Sequence, residues 1–267
     1  MSNFNPQSYW EARLTKNFNV TGVGYLPLGR GFNFWMYEVR KYVFRRAIRK
    51  LTLNLPESAA LDIGSGTGFY IDLMTRLGLG SITGVDITEA ATQRLKQKFP
   101  AHSFYQTDIS EPNLPFEAGA YDLISCFDVL FHIVDDNRYQ QALTNVHKLL
   151  KADGYFVFTD NLTREDQVAE HHISRSLETV KAAIADAGFK IQSVDPSFVL
   201  LNSPVASHNP LLKLYWKVLH TGLNAFKRIG LGAIGYVVGA LLFPLEMLLL
   251  STVGYGPSTK ILVCTKA

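Results

Sequence analysis

The sequence predicts an α/β fold of three layers, in which a doubly wound, mostly parallel sheet of seven strands lies between helices. From residue 59 to residue 201, short runs of β-branched and aromatic residues alternate with helical patterns, which is typical of repeated βα units. The chain has 267 residues, of which 47% are hydrophobic and 18% charged, and this composition supports a large core and excludes a disordered protein. We therefore expect one α/β domain with additions.

Seven strands and four helices are predicted along this domain. The predicted strands cover residues 59–63, 82–87, 103–109, 121–128, 154–160, 189–201 and 260–266. The predicted helices cover residues 67–77, 88–99, 135–150 and 175–187, and Gly78 and Gly188 are expected to end two of them. Because open parallel sheets bind ligands at the carboxyl ends of their strands, the residues at those ends are the candidate site.

Charge is distributed unevenly along the chain. Residues 1–50 carry nine basic and two acidic residues, residues 51–202 carry eleven and twenty, and residues 203–267 carry six and one. In one interpretation, the acidic residues of the middle segment have structural roles at strand ends and the basic flanks are solvated helices. In the other, the middle segment forms an acidic cofactor site bordered by surfaces that attract anions. Cys126 and Cys264 lie in apolar runs, which does not suggest a disulfide framework or a metal cluster. The polar start of the chain lacks the pattern of a signal peptide, so we expect a cytoplasmic protein.

A glycine-rich loop follows the first predicted strand. Asp62, Gly64, Gly66 and Gly68 form a D-x-G-x-G-x-G pattern that opens a helix, and such glycines permit a tight turn and the close approach of a ligand. The third glycine comes one position too early for a dinucleotide fingerprint, which disfavours NAD, and no Walker lysine follows. The loop therefore predicts a nucleoside site without a phosphate clamp.

Two further acids end the next strands. Asp86 ends the second strand, where a carboxylate can accept hydrogen bonds from both hydroxyls of a ribose. Asp108 ends the third strand and could accept a hydrogen bond from the amino group of an adenine. A run of carboxylates repels pyrophosphate but suits a cationic ligand. Together with the loop, these acids predict a site for a ligand that contains adenosine and carries a positive charge.

These motifs resemble the Rossmann-like, class I S-adenosylmethionine (SAM)-dependent methyltransferases, which carry the equivalents of ALDIGSGTG, GVDI, TDI and YDLI in this order. The resemblance covers residues 59–201 and the last strand, and it implies that SAM is the cofactor. By resemblance, the glycine loop surrounds the methionine part, Asp86 holds the ribose, and Asp108 with Ile109 receives the adenine. The cofactor-binding residues implied in this way are Asp62, Gly64, Ser65, Gly66, Gly68, Asp86, Ile87, Asp108, Ile109 and Phe127.

Catalysis requires little beyond orientation, because methyl transfer is an in-line displacement at a carbon that positive sulfur already activates. One base for the acceptor proton would lie near the methyl group, and in this family the segment after the fourth strand commonly lines that pocket. Asp128 and His132 are therefore the candidate catalytic residues. An imidazole near its reference pKa of about 6.5 accepts a proton at neutral pH. A purely structural role for His132 at a helix start stays open.

Two alternatives to this function follow from the same residues. Asp128 with Asp160 and Asn161 is similar to the metal-dependent catechol-type O-methyltransferases, in which such oxygens would suit magnesium. The second alternative is a protein that binds SAM or its product S-adenosylhomocysteine (SAH) without catalysis. The polar residues near the pocket argue against it. Residues 170–172, Glu-His-His, add a second polar cluster, but adjacent histidines on a helix do not point at one centre. The main hypothesis includes no metal.

The chain is expected to divide into a helical lid at 1–50, a SAM-binding catalytic domain at 51–202 with 259–267, and a helical, hydrophobic insertion at 203–258. The lid contains a predicted helix at 33–50 with six basic residues between 40 and 50. Its predicted apolar side comprises Trp35, Val39, Tyr42, Val43, Phe44 and Ala47. The family resemblance implies that this helix closes over cofactor and acceptor; plain capping of the core is the alternative.

The insertion contains an uncharged stretch from 229 to 245, which is long and apolar enough to raise a transmembrane interpretation. A single crossing would separate the last strand from its sheet, and a double crossing would bury the basic residues of the preceding leg. The insertion therefore packs on the domain or lies in a membrane surface. It fits an interfacial enzyme with a lipid-linked acceptor, a cap over a hydrophobic small molecule, or a homodimer interface.

Nucleic acid is not the expected partner. The basic flanks are apolar between their charges and contain no known RNA-binding module. Residues 121–129 also lack the Asn/Asp-Pro-Pro-Tyr/Phe sequence of the amino-directed nucleic-acid methyltransferases. The sequence thus predicts a SAM-dependent methyltransferase for a small-molecule or lipid-like acceptor, with transfer to oxygen and with membrane-surface association as an open alternative.

Overall fold

The computed structural model describes residues 5–169 and 171–267. Seven of its strands form one sheet, and two more form a separate hairpin. The strands are β1 (Ala59–Ile63), β2 (Ser81–Asp86), β3 (Ser103–Gln106), β4 (Tyr121–Cys126), β5 (Leu150–Asp160), β6 (Gln167–Ala169), β7 (His172–Ser174), β8 (Phe189–Pro196) and β9 (Lys260–Lys266). The α-helices are α1 (Pro6–Lys16), α2 (Val20–Val23), α3 (Gly29–Arg49), α4 (Phe69–Leu77), α5 (Glu89–Lys98), α6 (Asp136–Leu149), α7 (Leu177–Asp186), α8 (Pro210–Arg228) and α9 (Ile234–Thr252).

The central sheet has the strand order β3-β2-β1-β4-β5-β9-β8. The first five of these strands pair in parallel, and β9 is antiparallel to both of its neighbours, β5 and β8. Two buried apolar clusters cover the two faces, one built with α3, α4, α5 and α9 and the other with α6 and α7. The predicted fold class, a three-layer, mostly parallel sheet of seven strands, is confirmed.

The first and last predicted strands, 59–63 and 260–266, match β1 and β9, whereas three others are shorter than predicted. The third strand ends at Gln106 instead of 109, because the Asp108 carboxylate accepts hydrogen bonds from the backbone N–H and the hydroxyl of Ser110 and turns the chain. The strand predicted to end at 201 stops at Pro196. Beyond it, the carboxylate of Glu246 in α9 accepts the backbone N–H groups of residues 199–201 and draws them away from the sheet.

The strands around the middle of the sheet also have different limits from the prediction. Strand β4 ends at Cys126 rather than 128, because Asp128 adopts a left-handed backbone conformation with φ of 59°. Strand β5 begins at Leu150, four residues before the predicted start, directly after α6. These differences move no strand to another position in the sheet.

The predicted helices are present, each shifted by one or two residues at its ends. Gly78 ends α4 in a left-handed conformation with φ of 85°, as predicted, and Gly188, with φ of 82°, follows the end of α7. Thr88 and Asp135 begin α5 and α6 with side-chain caps. The caps place the N-termini of these helices beside the carboxyl ends of the parallel strands.

Helix α3 of the predicted lid starts at Gly29, earlier than the predicted residue 33. Its buried face differs in part from the prediction, since Tyr42 is exposed, while Phe32 and Met36 are buried. Trp35 packs against α9, and its indole Nε1 donates a hydrogen bond of 2.8 Å to the carbonyl oxygen of Tyr236. The insertion is thus folded onto the lid helix, and both lie over the same face of the sheet.

Candidate active site

A cavity of about 1030 Å³ opens at the carboxyl ends of β1, β2 and β4. Its cofactor-side wall comes from the glycine loop and the strand ends predicted from the sequence. The predicted residues that line it are Gly64, Ser65, Gly66, Asp86, Ile87, Asp108, Ile109, Phe127, Asp128 and His132. Asp62 and Gly68 do not line it: they support the loop from beneath and from its end.

The glycine loop is held by the neighbouring strand. The backbone N–H groups of Gly64 and Ser65 donate to the carbonyl oxygen of Val85 at 2.8 and 3.0 Å. Gly64 has φ of 72°, and a Cβ there would lie 2.2 Å from Val129 Cγ2. A side chain at this position would therefore be strained twice, by backbone conformation and by contact. The loop keeps its backbone open toward the cavity, as the spacing predicts.

Asp62 is fully buried below this loop. One carboxylate oxygen accepts a hydrogen bond of 2.7 Å from the Ser125 hydroxyl, and the other, Oδ2, has no hydrogen-bond partner. Burial raises the pKa of Asp62 to about 7. An acceptor oxygen left without a donor at this depth is suited to a bound ammonium group or a water molecule. Asp62 is therefore a support of the cofactor site with spare capacity to accept a hydrogen bond.

Asp86 joins the loop to the start of α5. Its Oδ2 accepts the N–H of Gly66 at 2.8 Å, and its Oδ1 accepts the N–H and the hydroxyl of Thr88 at 2.9 and 2.6 Å. Burial raises the pKa of Asp86, and these hydrogen bonds oppose the rise. With two donors Oδ1 is saturated, whereas Oδ2, with one donor, can accept one further bond. Asp86 therefore fixes the loop and keeps one free acceptor position.

Asp108 has a partner that the sequence reasoning missed. Arg138 of α6 forms an ion pair with it, with Nη2 2.7 Å from Oδ2, and also lines the cavity. Nothing in the strand-end pattern points to a residue of α6, since the contact joins segments 30 residues apart. The Asp108 carboxylate is thus shared between Ser110, Arg138 and whatever occupies the cavity.

Asp128 is paired with a residue of the lid. Its Oδ2 lies 2.8 Å from Nη2 and 3.1 Å from Nε of Arg40, and its Oδ1 accepts a hydrogen bond of 3.2 Å from the Thr159 hydroxyl. Arg40 lines the cavity and stacks over the ring of Tyr37. The sequence does not predict this role of Arg40. It predicts a basic helix here, but the spacing of the six basic residues does not show which arginine faces the cavity.

His132 lies in a 3-10 turn, Leu130–His132, with its ring against the edge of Trp10. Its Nδ1 is 2.9 Å from the carbonyl oxygen of His171. Because a carbonyl oxygen only accepts, Nδ1 carries the hydrogen and Nε2 carries the lone pair. Burial lowers the pKa of His132 to about 4, so the ring is neutral at physiological pH. His132 can accept a proton at Nε2, although as a weaker base than the sequence suggested.

The side chains of the catechol-type alternative are engaged by other groups of the protein. Asp128 is paired with Arg40, and the Asn161 side chain donates to Ser174 and accepts from Thr259. Asp160 is fully buried, and its Oδ1 accepts the N–H of Asn161. Among residues 5–169 and 171–267, no group of three or more His, Cys, Asp or Glu side chains is arranged to hold a metal ion. Asp128, Asp160 and Asn161, bonded in this way, do not fit magnesium. Glu170 of the second polar cluster lies outside the described residues.

Comparison with known proteins decides the family. Residues 61–158, which run from the glycine loop to β5, match the model of a methyltransferase domain family. A SAM-dependent methyltransferase of Leishmania major shares the fold, with a TM-score of 0.59, 19% identity, and coverage of 72% of this chain and 74% of that one. Residues 61–158 therefore form a methyltransferase domain, and the comparisons support a class I SAM-dependent methyltransferase. Its cofactor is SAM, and the glycine loop with Asp86 fits that cofactor.

Two curated relatives of this methyltransferase act on different atoms. A ubiquinone biosynthesis O-methyltransferase of Psychrobacter cryohalolentis is 25% identical over 210 residues, covering 71% of this chain and 79% of the relative. A glycine/sarcosine/dimethylglycine N-methyltransferase of Actinopolyspora halophila is 29% identical over 114 residues, covering 41% of this chain and 20% of the relative. Because the two relatives are named for methylation of different atoms, they leave the acceptor to be argued from the cavity.

Proposed function

We propose that this enzyme transfers the methyl group of SAM to an oxygen of a small-molecule or lipid-like acceptor that is largely apolar. The observation that carries the proposal is the composition of the cavity's second wall. The lid, the first turn of α4 and the segment after β4 contribute a mostly aromatic surface to the cavity: Trp10, Leu14, Val23, Tyr37, Phe69, Tyr70 and Phe127. A surface of this kind favours an aromatic or aliphatic acceptor over a highly charged one.

The size of the cavity supports two ligands at once. Its volume of about 1030 Å³ lies at the upper end of the range of roughly 300–1,000 Å³ that holds single drug-sized ligands. We propose that the polar half holds SAM, through Asp86 and the loop, with Asp108 and Ile109 near the adenine. The aromatic half then holds the acceptor, and the lid of residues 1–50, of which residues 1–4 lie outside the described part, excludes water.

The proposed mechanism uses few protein groups. Bound SAM supplies a methyl carbon that positive sulfur activates. As an acceptor oxygen attacks that carbon, the C–S electron pair passes to sulfur and SAH is released. The aromatic wall and Asp128, fixed by Arg40, orient the acceptor, and Nε2 of His132 receives the proton of the acceptor hydroxyl. A base with a pKa of about 4 accepts this proton most readily from an acidic hydroxyl such as a phenol or an enol.

Oxygen is favoured over nitrogen for two reasons. The first curated relative named above is an O-methyltransferase that aligns with most of this chain, whereas the N-methyltransferase aligns with less than half. The Asp128 carboxylate is also already paired with Arg40, so its charge is not free to hold an ammonium acceptor.

The test is methyl transfer from labelled SAM to a matched set of phenols, alcohols and primary amines, each with the same apolar group. We expect labelled ether from the phenols and little labelled amine. His132→Ala should lower kcat by about 10²-fold or more while SAH affinity is retained. His208→Ala, at an exposed position, is the control. Methylation of amines alone, or full turnover by His132→Ala, would contradict the proposal.

A further inference from the structure

The two helices of the insertion carry an unusual share of the chain's exposed apolar surface. Of nineteen exposed large hydrophobic residues in the described part of the chain, twelve lie between 211 and 255. Eleven of them form what we call the hairpin surface, on α8, on α9 and on the turn between them: Leu211, Leu214, Val218, Phe226, Ile229, Leu231, Tyr236, Val237, Leu241, Leu245 and Leu248. Scattered single residues are ordinary, but a continuous series on two helices marks an interaction surface.

Helix α9 is apolar on both sides. One side packs on the lid helix, with Gly235 and Gly239 so close to α3 that a Cβ at Gly239 would lie 2.4 Å from the Trp35 ring. The other side exposes Val237, Leu241 and Leu248, and Leu241 is 75% exposed. A helix without a polar face is expected inside a core or in contact with lipid. Since one side of α9 has no covering layer, the surroundings must supply it.

Of the described helices, only α9 is long and apolar enough to cross a membrane by length and composition. The sheet does not allow it to cross. Pro196, at the end of the strand before the insertion, pairs with Lys260, at the start of the strand after it. Both ends of the insertion therefore lie at one edge of the same sheet, and α9 lies flat on α3. The geometry fits a helix in the plane of a membrane surface.

The charges of the insertion indicate which partner covers it. Residues 203–258 are all described, and their basic residues, Lys213, Lys217, Lys227 and Arg228, are exposed. Their one acidic residue, Glu246, is fully buried. The hairpin surface is thus apolar with a positive border and no exposed acid. A second copy of the same surface would bring like charges together, whereas anionic lipid head groups complement them.

We propose that the hairpin surface binds an anionic lipid bilayer, with the exposed side of α9 below the head groups and the lysines of α8 at their level. Lys213 and Lys217 lie one turn apart, beside Leu214 and Val218, so their alkyl stems can follow the apolar side chains while the ammonium groups reach phosphates. Helix α3 carries Trp35 against α9 and Tyr37 and Arg40 in the cavity wall, so membrane binding places the cavity next to the bilayer. The proposal does not depend on the identity of the acceptor.

The experiment is sedimentation of the full chain with vesicles, in the presence of SAH, at low and at physiological salt. We expect the wild-type protein to sediment with vesicles containing 30% phosphatidylserine and to stay in the supernatant with pure phosphatidylcholine. Leu241→Asp with Leu248→Asp should weaken binding at least tenfold. Lys213→Gln with Lys217→Gln should weaken it by about 25-fold, at about fivefold per lysine, and reduce its salt dependence. Val168→Asp, at an equally exposed apolar position of the β6–β7 hairpin, is the matched control and should bind as the wild type.

Each remaining outcome overturns the proposal. Wild-type protein that stays in the supernatant with anionic vesicles rejects it. Binding that the Val168→Asp control loses as much as the α9 variants shows that the attachment is not specific to the hairpin surface. A dimer in light scattering that the α9 substitutions dissociate assigns the surface to a second copy. Calorimetric binding of SAH by each variant shows that it is folded, so a loss of sedimentation alone reports on the membrane contact.

Discussion

Arg40 of helix α3 forms an ion pair with Asp128 at the carboxyl end of β4, with Nη2 and Oδ2 2.8 Å apart, although the two residues are 88 positions apart in the chain. The pair joins α3 to the segment after β4, and both residues line the cavity. Asp128 is held there in a left-handed conformation, with φ of 59°, by this contact and by Thr159. An unfavourable backbone conformation that neighbouring contacts maintain is typical of functional sites.

Breaking this pair should destabilise the protein. Arg40→Leu leaves Asp128 without its charge partner, and we expect a loss of on the order of 2 kcal/mol in the free energy of unfolding, less than the roughly 3–5 kcal/mol of a fully buried pair because Asp128 is 32% exposed. Urea denaturation measures this loss. Lys41→Gln, which removes the half-exposed partner of Glu38, is the control and should change stability by less than about 0.5 kcal/mol. Equal effects of the two variants would show that the pair is not structural.

Asp62 should make stability depend on pH. Burial raises its pKa in the folded protein to about 7, whereas its ordinary value is 3.8. Between these values the folded state holds a proton that the unfolded state has lost, so the contribution of Asp62 to stability falls as pH rises from about 4 to about 7. Asp62→Asn should therefore stabilise the protein at pH 8 by about 1 kcal/mol or more, and much less at pH 4.

The measurement for Asp62 is urea denaturation of the SAM-free enzyme at both pH values. Asp72→Asn, at an exposed position of α4, is the control and should show no such difference between pH 4 and pH 8. Equal shifts of the Asp62→Asn variant at the two pH values would contradict the assignment of a raised pKa to this carboxyl group.

His132 should leave no inflection near neutral pH. Because burial lowers its pKa to about 4, the ring stays neutral and able to accept a proton from pH 8 down to about pH 5. His132 should therefore contribute no acid limb near 6.5 to the profile of kcat/KM against pH. A solvent-exposed histidine base would produce that limb. Trp10→Ala, which removes a ring packed on His132, should move an acid limb upward into the measurable range.

Gly64 and Gly78 offer a matched pair of substitutions. Both have positive φ, but a Cβ at Gly64 would meet Val129 at 2.2 Å, whereas a Cβ at Gly78 meets nothing within 4 Å. Gly78→Ala should cost only the backbone strain of about 1–2 kcal/mol and retain SAH binding. Gly64→Ala should cost more and displace the loop, lowering SAH affinity by tenfold or more. Thermal unfolding and calorimetry measure the two effects, and equal affinity losses would contradict a close backbone approach at Gly64.

Local contacts explain what the sequence could predict. The loop after β1 and Asp86 at the end of β2 belong to one βαβ unit, and the N–H of Gly66 donates to Asp86 twenty residues away. The spacing of these residues in the sequence is therefore enough to predict that they lie together. Arg40 and Arg138 reach the cavity from helices whose orientation depends on packing against other helices and the sheet. The hydrophobic periodicity of a helix does not predict that packing. The early end of β8 has the same cause, because it depends on Glu246, a residue of the insertion.

Calorimetric titration of SAH into the wild-type enzyme and into Asp86→Ala is the most direct test of the placement of SAM in this cavity. Asp86 links the loop to α5 and is proposed to hold the ribose, and hydrogen bonds to a charged group contribute about 1.5–3 kcal/mol. We predict binding of one SAH per chain by the wild type and affinity lowered about 10- to 100-fold in Asp86→Ala, with Asp72→Ala unchanged. Absence of heat with the wild type, or equal affinity in wild type and Asp86→Ala, would contradict the placement of SAM in this cavity.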